Sequence, residues 1–369
     1  MFKMALEYVE PGMQLARDIY GDDGKIVLST GATINKRQIS ILENWGICYI
    51  YVNNPLITLP PISEVVEETT RIQAANLMRD IFDKTQKSGL YQLTSEMSKI
   101  VNEVILGVLR NRLAIIHLAQ IHRHHNDLFA HSVNVSILST MTAVSLGISN
   151  SQDLSSIAVG SMLHDIGMIA VPPRIIAKRD SLRPEELELL EGHTVHGFEI
   201  LRKVRGFPLL AAHIAFQHHE RFDGLGYPRK ISGEEIHLFA RIVAVAEEYD
   251  NLVADRPDNK GLAPHVAYEK IVAGVNSLFD PNVTTGFLSK IALYPIGTMV
   301  KLTTGQIGVV SAVTARLQHR PRVEIITDPK GVLLYKPYSI DLSDKEHLTI
   351  FIEDILSDSA AAEFLNKNQ

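Results

Sequence analysis

The apolar residues of this chain change period twice, and that change limits its fold more than any other feature. From Ser63 to about Leu293 they recur at helical spacing. Leu128, Val135, Leu138 and Met141 fall on one stripe, and Ile242, Val245, Tyr249 and Leu252 on another. Before Asn53-Asn54-Pro55 and after Tyr294-Pro295-Ile296-Gly297 the pattern becomes short β-prone runs between turn residues. The sequence therefore predicts a mainly α protein, with a small α+β module over residues 1–55 and a small β-rich module over 293–369. In the first module, Met13–Tyr20 and Lys25–Leu28 are expected to pair across Gly21-Asp22-Asp23-Gly24. Asn35 caps a helix through Asn44, and Cys48–Val52 forms a further strand. In the last module, Met299–Leu302, Ile307–Val313, Val323–Ile326, Val332–Tyr335 and Leu348–Ile352 are expected to build a β-barrel-like unit.

Bulk properties exclude several function classes. The net charge of −6 over 369 residues argues against a duplex nucleic-acid binder, which needs a basic footprint. Cys48 is the single cysteine, so no intrachain disulfide framework or multi-thiolate metal site exists. That usage suits a reducing cytoplasm, the expected location. Charges interrupt the apolar stretches short of the roughly 20 residues a membrane span needs. The first ten residues lack an uninterrupted signal-peptide core.

Five segments offer metal ligands. Asp127 and His131 lie four apart on one helix face. His164 and Asp165 are adjacent, His193 follows Glu191-Gly192, His218 and His219 are adjacent, and Glu247 and Asp250 lie three apart. Adjacent helical residues point about 100° apart, so the paired histidines suit two neighbouring ions. Imidazoles bind borderline divalent metals, and a carboxylate bridges two ions while offsetting their charge. Each element alone has a structural reading: a buried hydrogen-bonded pair, a solvated helix face, a core histidine. Coincidence of all five is hard to arrange without a metal. His117, His122, His124 and His125 read as a polar helix face, and His196 as an outer partner of the ligands or a capping residue. After His219, the run Glu220-Arg221-Phe222-Asp223-Gly224-Leu225-Gly226-Tyr227-Pro228 breaks the helix and forms a loop able to approach a ligand closely.

These residues together resemble the HD-GYP family of cyclic di-GMP phosphodiesterases, a branch of the HD-domain metal-dependent phosphohydrolases. The resemblance runs from about Asp127 to Pro257. It includes His131-Ser132 with Asn134-Val135, Leu163-His164-Asp165-Ile166-Gly167, His193 with Gly197, and His218-His219-Glu220-Arg221. It continues through Gly226-Tyr227-Pro228, Ala240-Arg241-Ile242, Tyr249-Asp250 and Asp255-Arg256-Pro257. With helical flanks it spans residues 96–292, leaving 56–95 as linker and helix.

The resemblance implies His131, His164, Asp165, His193, His218, His219 and Glu247 as metal ligands, with Asp127 as ligand to a third ion. Two or three divalent ions, iron or manganese, are then the cofactors. Tyr227, Arg256, Asp250 and Lys260 are assigned to the substrate side. His164 and Asp165 carry the chemistry: a metal-bridging hydroxide opens cyclic di-GMP to pGpG, and the sequence leaves open whether GMP is the end product. No assembly state is legible beyond compatibility with a homodimer. Two positions depart from the family pattern. Met168 stands where a lysine usually supplies positive charge, and Lys230 where glycine often follows the Tyr-Pro loop. Met168 favours the competing expectation of a weakly active cyclic-dinucleotide receptor. A hydrolase of another cyclic dinucleotide is the third reading.

Overall fold

The computed structural model describes residues 2–53, 59–60, 64–88, 95–111, 127–178, 181–254, 261–314 and 317–367. In the N-terminal module, strand β1 (Phe2–Ala5) pairs antiparallel with β4 (Tyr49–Val52). Strands β2 (Ile19–Tyr20) and β3 (Ile26–Leu28) form a short hairpin. Helix α1 (Lys36–Asn44) starts where expected. The Asn35 side chain accepts the Gln38 backbone N–H at 2.9 Å while Gln38 Oε1 accepts the Asn35 N–H at 2.9 Å, a reciprocal cap.

The helical region is built on α4 (Asp127–Ser145), which packs against α2 (Glu68–Ser88), α3 (Ser95–Arg110), α5 (Ser151–Met162), α10 (Leu238–Val253) and α12 (Pro281–Leu288). Leu128–Ser145 is the one stretch among the described residues long and apolar enough to cross a membrane, but 67% of it is buried within the protein. It is a core helix. Its Val135, Leu138 and Met141, with Ile242, Val245 and Tyr249 of α10, belong to one continuous apolar core. Around it lie α6 (Pro173–Ile176), α7 (Pro184–Glu191), α8 (His193–Leu201), α9 (Leu209–Gln217) and α11 (Pro264–Ala273). Gly160 lets α5 approach α9 closely, since a Cβ there would lie 2.9 Å from Ala211 O.

The C-terminal strands β5 (Met299–Leu302), β6 (Ile307–Ala312), β7 (Arg322–Thr327), β8 (Leu333–Asp341) and β9 (Ile352–Ile355) form an antiparallel sheet in the order β8-β7-β6-β5-β9. Among the described residues β8 and β9 are its two edges and pair only inward, so the sheet is open where a barrel-like closure was expected. The predicted strand Leu348–Ile352 is also corrected, for pairing begins only at Ile352. The reason is local. The Arg320 guanidinium donates to Ile350 O at 2.7 Å and Leu348 O at 2.9 Å, taking carbonyls that a ladder would use. A final helix, α13 (Asp358–Lys367), had no sequence counterpart. The two ends of the chain share a core: Phe2, Leu15 and Ile50 pack with Met299, Val309, Ile326 and Leu365. Tyr49 OH donates to Asp358 Oδ2 at 3.1 Å across that junction.

Candidate metal centre

Each ligand candidate owes its position to a helix end or a helix crossing. His131 sits on α4, His193 begins α8, His218 and His219 follow directly on the end of α9, and Glu247 and Asp250 lie on α10. His164 and Asp165 occupy the turn after α5, where the backbone tightens into a 3₁₀ segment, Ile166–Ala170. Gly167 in that segment passes so near α8 that a Cβ would lie 1.9 Å from His193 O and 2.5 Å from Gly197 N. Only glycine permits this approach, which seats Asp165 against His193.

The imidazoles are oriented from behind. Nδ1 of His164 donates to Ser161 O (2.7 Å), that of His193 to Leu190 O (2.6 Å), and that of His218 to Ile214 O (3.1 Å). His131 Nδ1 donates to Asp250 Oδ2 at 2.7 Å. A carbonyl or carboxylate behind each ring fixes the tautomer and turns Nε2 forward, the usual outer support of metal-ligating histidines. Forward, the four rings meet Asp165. Its Oδ2 lies 3.4 Å from His164 Nε2, and its Oδ1 lies 3.4 Å from His193 Nε2 and 3.7 Å from His218 Nε2. His219 Nε2 lies 3.6 Å from Glu247 Oε1.

The donors fall into three overlapping groups: Asp165 with His193, His218 and His219; His131 with His164 and Asp165; and His164 with His218 and Glu247. Within each, the ligand atoms all lie within 4.8 Å of one another. Two observations test whether cations fit. His164 Nε2 is fully buried without a hydrogen-bond partner, which is costly for an imidazole nitrogen unless something binds it. His193 Nε2 and His218 Nε2 face each other at 3.2 Å. With both Nδ1 atoms committed as donors, those lone pairs repel unless a proton or a cation lies between them. The donor set fits borderline divalent metals.

The electrostatics agree. Burial drives His164 down to about 3, and lowers His193 and His219, so these rings are neutral and able to ligate. Burial also opposes charge on Asp165, but the surrounding imidazoles, His164 first, hold it well below the usual carboxylate range. His131 is opposed by burial as well, yet the Asp250 hydrogen bond and charge raise it to about 9. Burial pushes Glu247 up to about 7, with Asp165 adding repulsion. A cation alongside would reverse that shift.

The structure therefore brings together His131, His164, Asp165, His193, His218, His219 and Glu247. The side chain of Asp127, and Arg256 and Lys260, lie outside the described residues, as do His117, His122, His124 and His125. Asp250 is 2% exposed, and its carboxylate accepts from His131 and from Asn134 Nδ2 (3.0 Å). His196 is exposed, its Nδ1 donating to Gly192 O at 2.7 Å. Tyr227 stacks on His219, with ring centroids 4.7 Å apart, and forms a wall of the site. Burial, with Glu247 and Asp165 nearby, pushes its hydroxyl well above the usual range, so it stays a neutral donor. Two contributors had no role in the sequence reading. Glu220 accepts the Arg229 backbone N–H at 2.7 Å and ties down the loop after Tyr227. Asn134 holds Asp250. Both stood inside the quoted motifs, but nothing in their spacing disclosed a partner.

Residues 114–283 match the HD domain family, and residues 299–364 match the KOW domain associated with HD domain. A cyclic di-GMP phosphodiesterase of Pseudomonas aeruginosa is 32% identical over 249 residues, 68% of this chain and 60% of that protein. One of Thermotoga maritima is 33% identical over 230 residues, 60% of each chain. A 3'3'-cGAMP-specific phosphodiesterase of Vibrio cholerae is 32% identical over 165 residues, 45% of this chain and 35% of that protein. The chain thus spans about 60% of the length of the first two relatives. Among solved structures, an HDG"Y"P protein from Bdellovibrio bacteriovorus shares the fold at a TM-score of 0.50 and 17% identity, covering 77% of this chain and 97% of that one. Residues 114–283 thus carry an HD domain, similar over that region to curated cyclic di-GMP phosphodiesterases and sharing its fold with the Bdellovibrio protein.

Proposed function

We propose that this chain is a metal-dependent phosphodiesterase that opens cyclic di-GMP to linear pGpG, with product analysis deciding whether GMP follows. The observation that carries this reading is the sharing of Asp165 between two donor groups, with one oxygen toward His164 and the other toward His193 and His218. A carboxylate so placed spans two cation positions. His131, His164, Asp165, His193, His218, His219 and Glu247 would hold the ions, iron or manganese, and Asp127 a third. When bound, such a pair acidifies water and offsets charge on the phosphoryl oxygens. The chain's own part is orientation and exclusion: backbone carbonyls and Asp250 orient the imidazoles, and burial keeps His164, His193 and His219 neutral. Tyr227 offers a flat face for a base, where stacking contributes about 1–3 kcal/mol per base. Arg256 would read guanine O6 and N7, worth about 1–3 kcal/mol of discrimination. The reaction belongs to a reducing cytoplasm, and a homodimer is the assembly proposed.

The test is one anaerobic preparation analysed for metal, for turnover of cyclic di-GMP and for product. The His164→Ala/Asp165→Ala variant should lose both metal and turnover; unchanged hydrolysis would remove the site from the mechanism. Competition with 3'3'-cGAMP reads the base preference, and faster turnover of that nucleotide would reassign the substrate. One observation favours a second reading as a slow, receptor-like protein. Met168 brings a thioether where a cation would stabilise phosphate charge, and losing one such contact costs about 10²–10³ in rate. Met168→Lys separates the two, since a receptor with an intact pocket gains turnover while its binding stays constant.

A further inference from the structure

Behind His131 runs a chain of polar contacts that leaves the matched HD region. Arg71, on α2, donates through its guanidinium to Asn134 Oδ1. Asn134 Nδ2 donates to Asp250 Oδ1 at 3.0 Å, and Asp250 Oδ2 accepts from His131 Nδ1 at 2.7 Å. Asn134 and Asp250 are nearly sealed from solvent, at 6% and 2% exposure. The HD match begins at residue 114, so Arg71 lies outside it.

We infer that Arg71 is a positioning residue of the metal centre, holding Asp250, and through it the His131 ring, by fixing the Asn134 amide between them. An asparagine side chain has a donor end and an acceptor end of almost equal shape, and only its partners decide which way it faces. A guanidinium is donor-only. The Asn134 carbonyl must therefore face Arg71, which leaves the NH₂ end for Asp250. Asp250 then keeps its second oxygen as an acceptor for His131 Nδ1–H, and the ring so held turns Nε2 toward Asp165 and His164. Without Arg71 the Asn134 carbonyl loses its donor and the amide is held at the Asp250 end alone, so Asp250, and with it the His131 ring, is held less firmly. Because the network is buried, each contact is worth more than on a surface, and each loss costs more. Arg71 touches neither metal nor substrate; it acts through two intermediaries.

This inference rests on His131 being a metal ligand, and not on the identity of the substrate. The test is titration of metal-free, full-length protein with Mn²⁺ under anaerobic conditions, with no nucleotide present. A wrong substrate assignment would leave the result untouched. Outer partners of metal ligands typically affect affinity about 10–100-fold. Arg71→Met should weaken Mn²⁺ binding about 10-fold, at the low end because it acts at one remove. Arg71→Lys, which keeps a donor, should recover most of the loss. The deciding arm is a cycle with Asn134→Leu, which removes the amide that Arg71 orients. In that background Arg71→Met should change Mn²⁺ affinity no further. A merely structural role for Arg71 predicts the same about 10-fold loss again, and that result would overturn the inference. Unchanged affinity in Arg71→Met would do the same. Comparing Asn134→Leu with the double variant stands even where Arg71→Met alone fails to fold.

Discussion

Gly167→Ala adds one methyl group, and the structure gives its consequence in ångströms. The new Cβ would lie 1.9 Å from His193 O, 2.5 Å from Gly197 N and 2.8 Å from His193 C, all backbone atoms that no rotamer change can move. Ordinary contact begins at 3.4 Å. Clearing the worst contact thus moves α8 by about 1.5 Å (3.4 − 1.9), the kind of overpacking that costs about 1–3 kcal/mol. His193 is the first residue of α8, so its Nε2 leaves Asp165 Oδ1 and His218 Nε2, now 3.4 and 3.2 Å away. Metal–ligand distances tolerate only about 0.2 Å. The group built on His193 should therefore lose its ion, while the group of His131, His164 and Asp165 keeps its own. Turnover should fall about 100-fold, the scale of a 1 Å misplacement. Gly197→Ala is the matched control. Its Cβ meets Gly167 N at 3.3 Å and Ala215 Cβ at 3.4 Å, and alanine inside a helix gains up to about 1 kcal/mol over glycine. The assay is metal per chain by mass spectrometry on anaerobic protein, with calorimetric unfolding of the metal-free form. Gly167→Ala with wild-type metal content and melting temperature would refute the close-approach argument.

Three further outcomes follow from single features. Lys230 holds φ at 57°, the left-handed region that costs a side-chain-bearing residue about 1–2 kcal/mol, so Lys230→Gly should raise stability by about 1 kcal/mol in denaturant melts; a loss would mean the lysine has a compensating contact. Asn35→Ala removes a reciprocal helix cap and should destabilise the terminal unit by about 1 kcal/mol, while Mn²⁺ affinity stays unchanged. In metal-free protein His164 is buried neutral, with its pKa driven from 6.5 to about 3. The unfolded chain binds its proton first, so this group's stability is present above pH 6.5 and is lost as pH falls toward 3. Urea midpoints from pH 7.5 to 4 should decline, and His164→Gln should flatten the slope; identical slopes would show that other groups dominate acid sensitivity.

Much of the fold was legible because its signals are local. The α1 cap needs only Asn35 and Gln38, and the strand Met299–Leu302 needs only its own apolar run between turns. What was not legible depends on partners far away in sequence. Nothing in Leu348–Ile352 announces that Arg320 will take two of its carbonyls, and nothing in Phe2–Ala5 announces pairing with Tyr49–Val52. The shared core of the two termini is likewise a property of tertiary docking, where Phe2 and Met299 are equally apolar to any composition count.

The metal centre divides in the same way. Imidazole and carboxylate chemistry, with spacing along helices, was enough to bring His131, His164, Asp165, His193, His218, His219 and Glu247 onto one short roll of candidates. Spacing could not rank Glu247 against Asp250, because both lie on the same face of α10, three residues apart. The crossing of α4 over α10 decides it. That crossing presents His131 and Asn134, also three apart on one face, to Asp250, and both of its oxygens are used there. Glu247, one turn earlier, is left facing His219. One carboxylate thus joins the cluster and the other orients His131, although both are acids on one helix face. The distinction comes from which donors the neighbouring helix carries, and for Asp250 that reaches back through Asn134 to Arg71 on a helix that residue spacing alone gave no reason to connect with the site.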